Sequence, residues 1–112
     1  MILETNTYKD ALIADIQVKE ANLTVSDSFK DEMTALIDKG NKYIIVNFEK
    51  VMYVDSSFLG ALVSSLKYAI ANKAEIDVAG LNKDVAGLFQ LIRLNKAFKI
   101  HASAVEAATN KS

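Results

Sequence analysis

The sequence predicts an α/β fold: a mixed β-sheet with an N-terminal hairpin, parallel crossovers and about four helices packed on it. Three observations predict it. Apolar residues recur alternately with a period of two and with helical spacing along nearly the whole chain. One run, YIIVNF at residues 43–48, is apolar almost without a break and rich in β-branched residues, as a central strand covered on both faces should be. No linker, repeat or low-complexity tract divides the 112 residues, which are expected to form one domain with one core.

The elements follow in order. Residues 2–8 are a weak strand candidate, and residues 8–10 (Tyr8, Lys9, Asp10) offer a turn that makes a hairpin with residues 11–18. In that second segment Leu12, Ala14, Ile16 and Val18 alternate with Asp15 and Gln17, the pattern of a half-buried strand. The period then changes. Val25, Phe29, Met33, Leu36 and Ile37 fall at helical spacing over residues 25–39, and Gly40 stands where a helix commonly ends. After the central strand, Leu59, Leu62, Val63, Leu66 and Ile70 draw a stripe on a helix running from Ser57 to about Lys73. Ile76 and Val78 mark a further strand, closed by Gly80. Val85, Leu88, Phe89 and Ile92 give a third amphipathic helix, and Phe98 and Ile100 a short last strand. Ser103 and Glu106 have capping-box spacing and start a fourth, short helix. With no proline and four glycines, Asn, Asp, Ser and Lys must make most of the turns.

Composition narrows the function. A 51% hydrophobic, 24% charged chain is an ordinary globular protein, and its net charge of −1 supplies no basic field for a nucleic-acid backbone. The five phenylalanines and four tyrosines do not interleave with basic residues. The absence of cysteine excludes disulfides, thiolate metal sites and cysteine nucleophiles, and fits a reducing, cytoplasmic setting. MILETNTYKD has neither the basic nor the long apolar region of a signal peptide, and no stretch approaches the roughly 18 apolar residues of a membrane span.

The informative stretch is YVDSSFLGALV, residues 53–63, where an apolar run meets Asp55, Ser56 and Ser57 just before a helix. Asp and Ser there are ordinary N-caps, accepting from unpaired backbone N–H groups. A serine enzyme would need a base, and the one histidine, His101, lies in or after the last strand, with nothing in the sequence to bring it to Ser57. There is no G-x-S-x-G, no phosphate-binding loop, no acidic pair beside Asp55 for aspartyl phosphotransfer, and no metal-ligand spacing. A regulatory reading suits the position better. Phosphate on an exposed serine at a helix N-terminus adds nearly two charges without refolding the domain, and inside a partner interface Asp55 would make that charge harder to accommodate. Ser57, Ala61, Ser64 and Tyr68 form a small-residue stripe that faces a partner, a neighbouring helix or solvent.

Residues 46–62, VNFEKVMYVDSSFLGAL, resemble the signature of bacterial anti-sigma factor antagonists of the STAS domain family, in which a strand leads through D-S-[SA]-G-L-G into a helix. The run GLNKDVAGLFQLIRLNKAFKIHASAVEAA, Gly80 to Ala108, is similar to that family's closing helix, strand and helix, so the likeness spans nearly the whole chain. Two positions depart from it: Phe58 replaces the glycine after the acceptor, and Asn47 replaces the aspartate of the preceding strand.

The resemblance implies a non-enzymatic partner switch without a cofactor. Its partners would be an anti-sigma factor with serine kinase activity, which phosphorylates the antagonist and so releases it, and a PP2C-type serine phosphatase that restores binding. It implies Ser57 as phospho-acceptor, with Asp55 and Ser56 at the flanking motif positions. The contact surface is expected to centre on Asp55, Ser56, Ser57 and Phe58 and the exposed side of the following helix, with Gly60, Ala61 and Ser64 as candidates. No nucleic acid or membrane insertion is expected, and a homodimer stays open. The alternatives are an unphosphorylated adaptor of a transporter, lipid-trafficking or stress-sensing complex and, from another class, a small serine-dependent enzyme.

Overall fold

The computed structural model describes residues 1–110. β1 (Leu3–Tyr8) and β2 (Ala11–Ile16) form an antiparallel hairpin from Leu3↔Ile16 to Tyr8↔Ala11, with Lys9 at φ +55° in the turn. The chain then makes β3 (Glu20–Ala21), α1 (Leu23–Asp38), β4 (Tyr43–Asn47), β5 (Tyr53–Val54), α2 (Ser56–Ala71), β6 (Glu75–Ala79), α3 (Lys83–Leu91), a 3₁₀ turn (Leu94–Lys96), β7 (Ile100–His101) and α4 (Ala104–Asn110). Strands β2, β4, β6 and β7 pair in parallel, so the mixed sheet has the order β1-β2-β4-β6-β7. The expected α/β class and its four helices are present.

The two faces of the sheet carry different cores because side chains alternate along each strand. From β4, Ile44 and Val46 enter a large core with Phe29, Met33 and Ile37 of α1, Phe58 and Leu62 of α2, and Phe89 of α3. Tyr43 and Ile45 face the other way, into a smaller cluster with Ala11, Ile13, Ala79 and the alanines of α4. The central-strand reading of residues 43–48 therefore holds. Ala11 and Ile13 of β2 are buried as well, because α4 covers the face that the alternation had left to solvent.

Several boundaries differ from the sequence reading. β3 and β5, a two-residue parallel pair, had no counterpart in it, since so short a strand shows no period. Phe98 is buried but precedes β7, its N–H still donating to Leu94 O at 3.0 Å. Ile70 and Ile92, counted on apolar stripes, are 64% and 45% exposed. The buried face of α2 is instead Phe58, Leu59, Ala61, Leu62, Ser65 and Ala69, a stripe rotated toward α1. Lys73 and Arg93 adopt left-handed conformations where α2 and α3 end, the work that glycine would do in a less glycine-poor chain.

Candidate functional site

β3 and β5 bring two helix starts together. Glu20 and Ala21 pair with Tyr53 and Val54, the Met52 N–H donates to Lys19 O, and the Asp55 N–H donates to Ala21 O. The residues entering α1 are thereby laid beside those entering α2. Asp55, in extended conformation, caps α2: its Oδ1 accepts the Phe58 N–H at 2.9 Å. Its Oδ2 accepts the N–H of Leu23, the first residue of α1, also at 2.9 Å. One carboxylate thus meets the positive ends of two helix dipoles, where negative charge is favoured.

Ser56 and Ser57 follow as the first two residues of α2, Ser56 exposed and Ser57 half-buried. Further along, Gly60 is exposed and Ser64 half-buried. Two residues of the expected contact surface are buried. Phe58 is fully buried, its ring 4.6 Å from that of Phe29 and edge-on to Phe48 at 6.3 Å. Ala61 is only 8% exposed. Phe58 lies inside α2 without a positive φ, so no glycine is needed there, and its ring is part of the core. The stripe Ser57, Ala61, Ser64, Tyr68 is only partly free: Ala61 is buried and the Tyr68 hydroxyl donates to Asp38 of α1 at 2.5 Å, while Ser57 and Ser64 keep part of their surface in solvent. That bond to Asp38 raises the Tyr68 pKa.

The sequence reading missed the apolar rim of this site. Leu23, Met52 and Tyr53 are 69%, 64% and 55% exposed, and a shallow cleft of about 210 Å³ runs between Met52, Tyr53 and Val54 on one side and Asp84, Val85 and Leu88 on the other. The signal for Met52 and Tyr53 was present as two large apolar residues between the buried Val51 and Val54, out of step with a strand.

Asn47 now has a physical account. Its Nδ2 donates to Asp15 Oδ1 at 2.6 Å, and its Oδ1 accepts the Glu49 N–H at 3.3 Å. An aspartate here would set two carboxylates against each other, whereas asparagine supplies the donor that Asp15 needs.

His101 is engaged elsewhere. Its Nε2 lies 2.9 Å from Oδ2 of Asp77, a residue 3% exposed, and the Tyr43 hydroxyl donates to the same oxygen at 2.7 Å. Burial, then the bond to Asp77, pushes the Tyr43 pKa well up. Ala79, the register partner of His101, belongs to the core under α4, so the sheet lies between this histidine and α2. The histidine–serine pair of the enzyme reading is not formed. Among the described residues no group of three or more His, Asp or Glu could hold a metal ion, and no helix is long and apolar enough to cross a membrane.

Residues 4–107 match the family model of the STAS domain. The chain belongs to the STAS domain family. Among its relatives is the anti-sigma-B factor antagonist of Staphylococcus aureus, 27% identical over 82 residues that cover 73% of this chain and 76% of that protein. The STAS fold recurs in an anti-sigma-factor antagonist domain protein from Planctomyces limnophilus, with a TM-score of 0.86 at 11% identity over 98% of this chain and 97% of that one. It recurs in the phosphorylated form of the Bacillus cell fate determinant SpoIIAA, with a TM-score of 0.74 at 17% identity over 98% and 99% of the two chains.

Proposed function

We propose that this STAS domain is an anti-sigma factor antagonist, a regulatory module that binds an anti-sigma factor with serine kinase activity and is switched off by phosphorylation of Ser57. The name of the Staphylococcus aureus relative supports the antagonist role. The observation that carries the switch is the placement of Ser56 and Ser57 at the start of α2, directly after a carboxylate whose two oxygens are already bonded to N–H groups. A phosphate on Ser57 adds about two negative charges beside Asp55 at this rim. A partner covering the serine would have to desolvate both, against like-charge repulsion. The contact surface is Ser56, Ser57, Gly60 and Ser64 with the apolar rim Leu23, Met52 and Tyr53, while Asp55 holds the two helix starts in place beneath it. A PP2C-type phosphatase restores the binding form, and the protein acts by binding in the cytoplasm.

The test is a titration of wild type, Ser57→Ala and Ser57→Glu against the purified serine-kinase anti-sigma factors of the same cell, followed by incubation with ATP. Wild type and Ser57→Ala should bind alike, Ser57→Glu about 100-fold more weakly, and ATP should place one phosphate on Ser57 of the wild type. Equal binding by all three variants, without phosphate transfer, would leave Ser57 as a helix residue of a constitutive adaptor.

A further inference from the structure

We propose that α4 is a lid over the second face of the sheet, opening while the core between α1, α2 and the sheet stays intact and giving solvent access to Tyr43 and Asp77. The inference concerns the face opposite the Ser57 site and does not depend on the antagonist reading.

The contrast between the two cores carries it. α4 has seven residues, well below the roughly 12 that a helix needs to hold any stability of its own in water. It must be held by what it buries, and that is Ala104, Ala107 and Ala108; its largest apolar side chain, Val105, is 52% exposed. Beneath it lie Ala11, Ile13, Tyr43, Ile45 and Ala79, a cluster separate from the one that holds Phe29, Phe48, Phe58 and Phe89. The apolar surface released by lifting α4 is small beside that released by opening the first core, and local opening free energies follow such differences.

Polar groups lie under the helix as well. Asp77 accepts from Tyr43 and pairs with His101, and the Tyr43 hydroxyl lies 3.5 Å from Ala107 O. On opening, the Asp77 carboxylate and the Tyr43 phenol regain water, which offsets part of the lost packing and of the long bond from Tyr43 to Ala107 O. The lid has a hinge as well: Ala102 and Ser103 are exposed, in a bend between β7 and α4, while the Asp77–His101 contact holds the strand before it.

The chain contains no cysteine, so one introduced thiol reports on one place. Ala107→Cys and Val46→Cys each put a thiol where the native side chain is 0% exposed, under α4 and in the first core respectively. Under native conditions an aromatic disulfide reagent should label Ala107→Cys at least about 100-fold faster than Val46→Cys, with little dependence on low urea. Amide exchange of the unsubstituted protein is the second readout: Ala107 and Ala108 should exchange faster than Ile44 and Val46 by a comparable factor. Equal labelling or equal amide protection at the two places would make α4 part of a single cooperative unit and overturn the proposal.

Discussion

The Asp55 carboxylate accepts the backbone N–H of Leu23 at 2.9 Å across 32 positions of chain, while capping its own helix through Phe58. The bond makes the acid of the Asp-Ser-Ser motif a tie between α1 and α2. Replacing it tests both ends. Asp55→Ala leaves two helix N-termini without an acceptor and should lower stability by about 2 kcal/mol. Asp55→Asn keeps one acceptor oxygen and presents an NH₂ to the other N–H, so its loss should fall between wild type and alanine. Urea titrations of the three proteins give the order; an Asp55→Ala protein as stable as wild type would show that neither bond contributes.

Phe58 is the departure from the family pattern that most affects the core. Its ring fills the space between Phe29 and Phe48, and Phe48 in turn packs edge-on against Phe89 at 5.8 Å. Phe58→Ala should cost about 3–5 kcal/mol, a large part of the total stability of a small domain. Restoring the family's glycine, Phe58→Gly, should cost about 1 kcal/mol more, because the position is inside a helix. Thermal melts monitored by circular dichroism decide this, and a drop of under about 1 kcal/mol would mean that the surrounding rings close the gap.

The order of elements was legible because each long segment keeps one period over several turns or pairs. Tyr43–Phe48 could be placed centrally since burial on both faces demands apolar residues at every step. The phase of α2 was not legible. A stripe drawn through Leu59, Leu62, Val63, Leu66 and Ile70 omits Phe58, and that ring, packed toward α1, turns Ala61 inward and Ile70 out. Asp77 offered no warning either, being one acid in EIDVA, because its partners come from β4 and β7 and only the folded sheet assembles them. The same holds for the site: the sequence marks Asp55, Ser56 and Ser57, but the approach of Leu23 depends on the β3–β5 pair, which has no period to read.

Gly80 follows β6 at φ +74°, and a Cβ there would lie 2.7 Å from Asn47 Oδ1 and 3.1 Å from the Glu49 N. Asn47 cannot swing away freely, since Asp15 and Glu49 hold both ends of its amide. Gly80→Ala should therefore destabilise by about 2 kcal/mol, from the left-handed backbone and the contact together. A double-mutant cycle separates them: in an Asn47→Ala background the contact with Oδ1 is gone, and Gly80→Ala should cost measurably less. Additive losses would assign the whole effect to the backbone angle.

The raised pKa of Tyr43 fixes how stability should respond to alkali. The folded protein holds the phenol proton more tightly than the unfolded chain, where tyrosine titrates near 10. Burial opposes the phenolate first, and the hydrogen bond to Asp77 opposes it next. The unfolded state therefore releases this proton at lower pH than the folded state. The contribution is complete below pH 10 and is lost as the pH rises toward the folded value. Tyr68 is also shifted upward but is exposed, so screening by solvent leaves it a minor share. Tyr43→Phe should remove most of the alkaline slope measured by urea titrations between about pH 9 and 11. At neutral pH the same variant takes one hydrogen-bond donor from the buried Asp77 and should be about 1–3 kcal/mol less stable than wild type. A Tyr43→Phe protein with an unchanged alkaline slope would mean that the phenol is hydrated in the folded state, a result that bears directly on how often α4 is closed over it.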